Sequence, residues 1–142
     1  MVYTHHTTCS VMLKAASLDE TYNGVGFIDQ DLWDVLEQII PTCRKEGQYL
    51  HPGEKATRFA AEHGEDKPEA LNTEGHLRSS LLKRSVSMAV AAGRLDLGAH
   101  GRICLADFDQ TRSRERQAAV CVIGVQNARD SGGTVPPCLS DV

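Results

Sequence analysis

Residues 85–112 read "SVSMAVAAGRLDLGAHGRICLADFDQTR". Val86, Met88 and Val90 alternate with small or polar residues, Gly93 punctuates the run, and Leu95 and Leu97 alternate again beyond it. A period of two on both sides of a glycine is the pattern of a β-hairpin. "RICLADFD" at 102–109 alternates once more and reads as a further strand. "QAAVCVIGVQ" at 117–126 is a nearly continuous apolar run, which predicts a buried final strand.

Upstream, "FIDQDLWDVLEQIIP" at 27–41 changes the period. Ile28, Leu32, Val35, Leu36 and Ile39 recur at steps of three and four, which predicts a helix with one apolar face laid on a flat surface. Asp29 is the expected N-cap, Asp31 adds charge to the first turn, and Pro41 ends the helix. Residues 2–13 carry Val2, Tyr3, several threonines and Val11, and read as a strand. The polar stretch 42–75 is broken by glycines and prolines; "EKATRFAAEHGED" within it can form one or two helical turns. "HLRSSLL" at 76–82 reads as a short helix or tight connection. Grouped strands with one or two main helices give an α+β class with a mostly antiparallel sheet. One domain over residues 1–126, with a flexible tail at 127–142, is the expected organisation.

Composition narrows the function. The net charge of −4 in 142 residues argues against non-specific nucleic-acid binding, which needs excess Lys and Arg. No apolar run approaches the ~20 residues of a membrane span, and no signal-peptide pattern opens the chain. Five scattered cysteines without a CxxC pair suit a reducing cytoplasm.

Six histidines stand at 5, 6, 51, 63, 76 and 100, with no local metal motif among them. Taken singly, each is more often a surface or structural histidine than a ligand. In a regular strand His5 and His6 point to opposite faces, so only one can enter a given site. Three imidazoles brought together would suit a zinc ion. Thr7, Thr8, Ser79 and Ser80 can donate to phosphate oxygens, or can make only local turn and cap bonds. "RSRER" puts Arg112, Arg114 and Arg116 on one face of a strand, a good arrangement for an anion. Arg112, beside the "DFD" turn, is the first choice; for Arg114 and Arg116 a charged strand edge is the competing reading. No nucleophile elbow and no glycine-rich phosphate loop is present.

"HTTCSV" at 6–11, "YLH" at 49–51, "NTEGHLRSSLL" at 72–82 and the hairpin block at 85–112 occur in an order that resembles the YjbQ-like family, known as secondary thiamine-phosphate synthase. The resemblance covers about residues 3–125. It implies a compact α+β domain, a homotrimer, and a cleft where His6, His51 and His76 come together as catalytic residues or as ligands to a divalent metal, zinc or magnesium. Thr7, Thr8, Asn72, Ser79, Ser80 and Arg112 would then bind a small phosphorylated substrate, and His6 rather than His5 would be the site residue. The implied reaction joins a pyrimidine diphosphate to a thiazole phosphate.

Several positions depart from the family pattern. The family's N-terminal strand and helix have no counterpart before the "HTT" block, and its acidic Asn-Glu pair falls on Lys14 and Ala15. Asp19 or Glu20 could substitute. The glycine after the "SSLL" block is Lys83, the family's GTWQ is Gly98 to Gly101 with His100 inside it, and the segment between His51 and Asn72 is longer. Two other readings stay open: a metal-dependent hydrolase of a small phosphate or amide, and a non-catalytic ligand-binding or assembly protein with a degenerate site.

Overall fold

The structure is a computed structural model that describes residues 1–111 and 113–124. Its strands are β1 (Val2–Tyr3), β2 (Cys9–Ala15), β3 (Ser85–Val86), β4 (Val90–Ala91), β5 (Arg94–Leu95), β6 (Gly101–Asp107) and β7 (Ala119–Val120). Its helices are α1 (Phe27–Ile39), α2 (Glu54–Glu62) and α3 (Thr73–Leu82), with a 3₁₀ turn at Lys67–Ala70. Among the described residues all strand pairings are antiparallel, so the α+β class holds.

The long pair is β2 with β6, in register from Cys9 opposite Asp107 to Ala15 opposite Gly101. β1 is the middle strand of a second sheet between β3 and β7. β4 and β5 form the expected hairpin, and its turn residues Ala92 and Gly93 both have positive φ, as a tight two-residue turn requires.

The first strand is interrupted. Residues 4–8 leave β1, turn, and enter β2, with the Cys9 N–H closing on the His6 carbonyl at 3.1 Å. Threonine favours strands by its branched side chain but also bonds its own neighbourhood. Here Thr4 Oγ1 accepts the His6 N–H and donates to the Gln117 carbonyl. The predicted final strand shrinks to two residues. Val122 and Ile123 are exposed rather than buried, because no described segment covers them.

α1 starts at Phe27, and Gly26 holds the N-cap position without a side-chain bond. Ser17 Oγ accepts the Ile28 N–H instead, and Asp29, the expected cap, pairs with Lys14 at 2.5 Å. The helix is anchored at a few points: Leu36 is buried, and Trp33 stacks on Phe108 and lies under the Arg78 guanidinium. Phe27, Val35 and Ile39 stay exposed, so the broad flat contact read from the sequence is not matched by burial along the stripe.

α3 lies close against β2. A Cβ on Gly75 would sit 3.2 Å from the Phe108 carbonyl and from the Thr8 side chain. Ser79 Oγ donates to the Cys9 carbonyl at 2.6 Å and fixes the helix there. That approach brings the start of α3 to the turn before β2 and the turn after β6. Cys9, Cys43 and Cys104 are free thiols. No helix among the described residues is long and apolar enough to cross a membrane. Arg112, Cys138 and the expected tail at 127–142 lie outside the described residues.

Candidate functional site

The turn after β6 is built by its own carboxylates. Asp107 Oδ1 accepts the Asp109 N–H, and Asp109 Oδ1 accepts both the N–H and the hydroxyl of Thr111. Between them Phe108 is buried, and its N–H continues the ladder to the Thr8 carbonyl. Asp109 Oδ2 takes the amide of Asn72, the N-cap of α3, at 3.2 Å. The β6 turn, the "HTT" turn and the start of α3 are therefore tied together by polar contacts.

These three pieces, with the segment after β6, line a polar cavity of about 230 Å³. His5, His6, Thr7 and Thr8 form one wall, Asn72, His76 and Asp109 another, and Arg114 and Arg116 close it. Arg116 is the best-held cation. It donates to Asp107 from Nε at 2.7 Å, comes within 3.6 Å of Asp109, and reaches Thr8 Oγ1 at 3.4 Å. Burial alone would raise the Asp107 carboxyl, but the Arg116 hydrogen bond and charge, with the Asp109 N–H, hold it below its usual range. Arg114 pairs with Glu65 at 3.4 Å.

The imidazoles differ in setting. His6 is half-buried, and its Nε2 accepts the Gln117 N–H at 3.1 Å. His5 is exposed at the rim, with its ring edge against Tyr3. His51 and His76 meet edge to face, 5.3 Å between ring centres. Desolvation, and then the neighbouring His51, lower the affinity of His76 for a proton, against opposing effects from a hydrogen bond to the Thr7 backbone and from Asp109. His76 is thus biased to the neutral imidazole, which carries one donor and one acceptor.

His6, His76, Thr7, Thr8 and Asn72 all meet at this cavity. His51 does not line this cavity but meets His76 in an adjoining hollow. Ser79 is buried with its hydroxyl spent on Cys9, and Ser80 is exposed and donates to the His76 carbonyl; neither lines the cleft. Residues His6, His51 and His76 do not form a three-donor metal set. Among the described residues no three His, Cys, Asp or Glu side chains are grouped to hold an ion, and His6 Nε2 is already engaged. Among the described residues, then, no grouped donor set stands ready for the metal that the resemblance implies. Lys14, at the first position of the Asn-Glu pair that the resemblance implies, is turned to Asp29.

Four residues of the cleft lie outside the site set expected from the sequence. Residues 113–118 are not a strand, so the period-two reading of the arginines does not apply, and Arg116, read as a charged edge, is instead the ion-paired wall of the cavity. Arg114, Asp109 and His5 complete the set. The signal available for Asp109 is the "DFD" turn itself, where two carboxylates flank a single apolar residue.

An antiparallel α+β domain whose polar cleft is closed by one helix start and two strand-end turns defines the class of protein. The sequence model of the "UPF0047 protein YjbQ-like" family matches residues 1–125, and the chain belongs to that family. A UPF0047 protein of Archaeoglobus fulgidus is 27% identical over 114 residues, covering 80% of this chain and 70% of that one. Crystal structures of a hypothetical protein from Aeropyrum pernix and a conserved hypothetical protein from Thermus thermophilus share the fold. Their TM-scores are 0.53 and 0.52 at 21% and 22% identity, with 82% and 84% of this chain covered and 66% and 75% of theirs. An uncharacterized YjbQ/UPF0047 protein from Clostridium acetobutylicum has a TM-score of 0.54 at 18% identity over 84% of this chain and 72% of its own. This chain thus spans just under two-thirds of the Aeropyrum protein's length.

Proposed function

We propose that the cleft holds the phosphate groups of a small molecule and that the chain catalyses a transfer of the secondary thiamine-phosphate synthase kind. The observation that carries the reading is the convergence of hydroxyl, amide, imidazole and guanidinium groups from separated segments on one polar cavity. In this transfer the bond between the pyrimidine methylene carbon and its diphosphate oxygen breaks. Diphosphate departs with the electron pair, and the thiazole nitrogen bonds to the carbon. The charge to be stabilised is that of the leaving diphosphate, and pre-placed donors in a partly dry site do this best. Arg116 supplies a fixed positive charge, Thr7 and Thr8 lie beside it, and Asn72 and Asp109 hold the opposite wall in place. His76, biased to the neutral form, can donate to a phosphate oxygen or take a proton from an incoming group.

The test is formation of thiamine phosphate and release of diphosphate from the two precursors. The wild type is expected to turn over, and His76→Ala to lose about a hundredfold in rate. A wild type that forms no product from both precursors, with its folding verified, refutes the transfer reading.

A further inference from the structure

A second hollow of about 390 Å³ adjoins the polar cavity and shares four of its residues, Thr7, Asn72, His76 and Arg114. Its additional walls differ in chemistry. His51 and Glu65 add polar groups at its edges, whereas Pro52, Ala56, Phe59 and Ala60, from α2 and the residues before it, and Ala70, from the 3₁₀ turn, add apolar wall. These belong to the stretch between His51 and Asn72 that is longer than the family pattern resembled by the sequence.

The side chains are arranged to leave room. Ala56 and Ala60 are four residues apart and so share one face of α2. Ala60 and Ala70 are buried, so small side chains there mark the floor. Phe59 is 62% exposed, yet one face of its ring is covered by His63, stacked at 4.0 Å between centres; its exposure therefore belongs to the other face. His63 is itself fixed, its Nδ1 against the Phe59 carbonyl at 2.8 Å. Small-molecule sites pair apolar walls with a few convergent polar groups, and here the two parts lie side by side. A ligand that used only the polar cavity would leave the Phe59 face in water.

We infer that residues 51–72 form a ring-binding subsite, so that this chain prefers phosphate esters and phosphonates whose phosphorus group is attached to an uncharged flat ring. The inference rests on the phosphate-binding reading of the polar cavity and deepens it. The residues common to both hollows set the linker: because His76 and Thr7 border each part, ring and phosphorus group must be joined through no more than a short connection.

Phenylphosphonate and methylphosphonate separate the two parts, since they share a head group and differ in the ring. Calorimetric titration of the full chain is expected to give phenylphosphonate roughly tenfold tighter binding. Phe59→Ala should reduce that preference, and Ala56→Phe, which fills the hollow, should abolish it, while methylphosphonate binds both folded variants as it binds the wild type. Equal binding of the two ligands by the wild type overturns the subsite and leaves the phosphate reading standing. A preference that persists in both variants also overturns it. Failure of the wild type to bind either ligand overturns the phosphate reading, and the subsite with it.

Discussion

His76 lines the cleft and Asp107 holds one of its arginines, and both lose their contribution to stability as pH falls, in different windows. Burial depresses the proton affinity of His76 below the usual 6.5, so the folded state favours the neutral ring. Between that lowered value and 6.5 the unfolded chain binds more protons than the folded one. Stability from this group is full above 6.5 and is lost as pH falls through the window. The Arg116 bond holds Asp107 below the usual 3.8, so its contribution is complete above 3.8 and disappears only in stronger acid. A titration of the imidazole carbon protons by NMR is expected to place His76 below 6.5, and His76→Asn should flatten the stability profile in that window. A His76 midpoint above 6.5 would remove the basis for treating it as a neutral donor and acceptor. At this scale the histidine was legible only through its motif. Its pairing with His51 depends on α3 meeting a segment more than twenty residues away, which spacing alone does not show.

The joint between α1 and α3 is made by one side chain. Arg78 is fully buried; it donates to the Ile40 carbonyl and to Glu37, and lies 4.8 Å over the Trp33 ring. The Thr42 hydroxyl first, and the Arg78 pair with it, hold the Glu37 carboxyl at about 2 against a burial effect that would raise it. Stability from this carboxylate is complete above its unfolded value of 4.5 and is lost between 4.5 and about 2. Glu37→Ala should cost about 3 kcal/mol in urea unfolding at neutral pH, the low end for breaking a buried pair because Glu37 is 31% exposed. A cost below about 1 kcal/mol, the size of a surface pair, would contradict the joint. The end of α3 carries strain: Lys83 sits at φ 68° and ψ 163°, a region that glycine alone occupies comfortably. Lys83→Gly is expected to stabilise the fold by about 1 kcal/mol, read from the same unfolding curves. Loss of stability instead would mean that the lysine side chain compensates for its backbone. Helix α1 and strand β6 were readable because long periodic runs carry their own signal. The break at residues 4–8 was not, because threonine suits both a strand and a turn. The final strand was over-read, since an apolar run predicts burial only where another layer covers it.

Across the described residues the buried polar side chains, among them Thr4, Thr8, Ser10, Asn72, Glu74, Arg78 and Asp109, outnumber the buried apolar ones, which are Cys9, Val11, Leu36, Ala60, Ala70 and Phe108. Polar groups are costly to bury unless bonded, so a small chain that concentrates them where three segments meet is specifying an arrangement there. Elsewhere Val90, Leu95, Val120, Val122 and Ile123 border an apolar hollow of about 480 Å³ that shares no lining residue with the charged cleft. The α+β class followed from the order of the elements, but the cleft follows from contacts between the two ends of the chain, Thr8 with Arg116 and His6 with Gln117, which no local pattern encodes. The most direct measurement is calorimetric titration of the wild type and of Arg116→Gln with inorganic pyrophosphate. A single binding event in the wild type, weakened tenfold or more in the variant, is the expected result, because a charge-assisted contact is worth roughly 1.5–3 kcal/mol. No heat of binding in the wild type, or equal affinity in a folded Arg116→Gln, would show that this cleft is not a phosphate site.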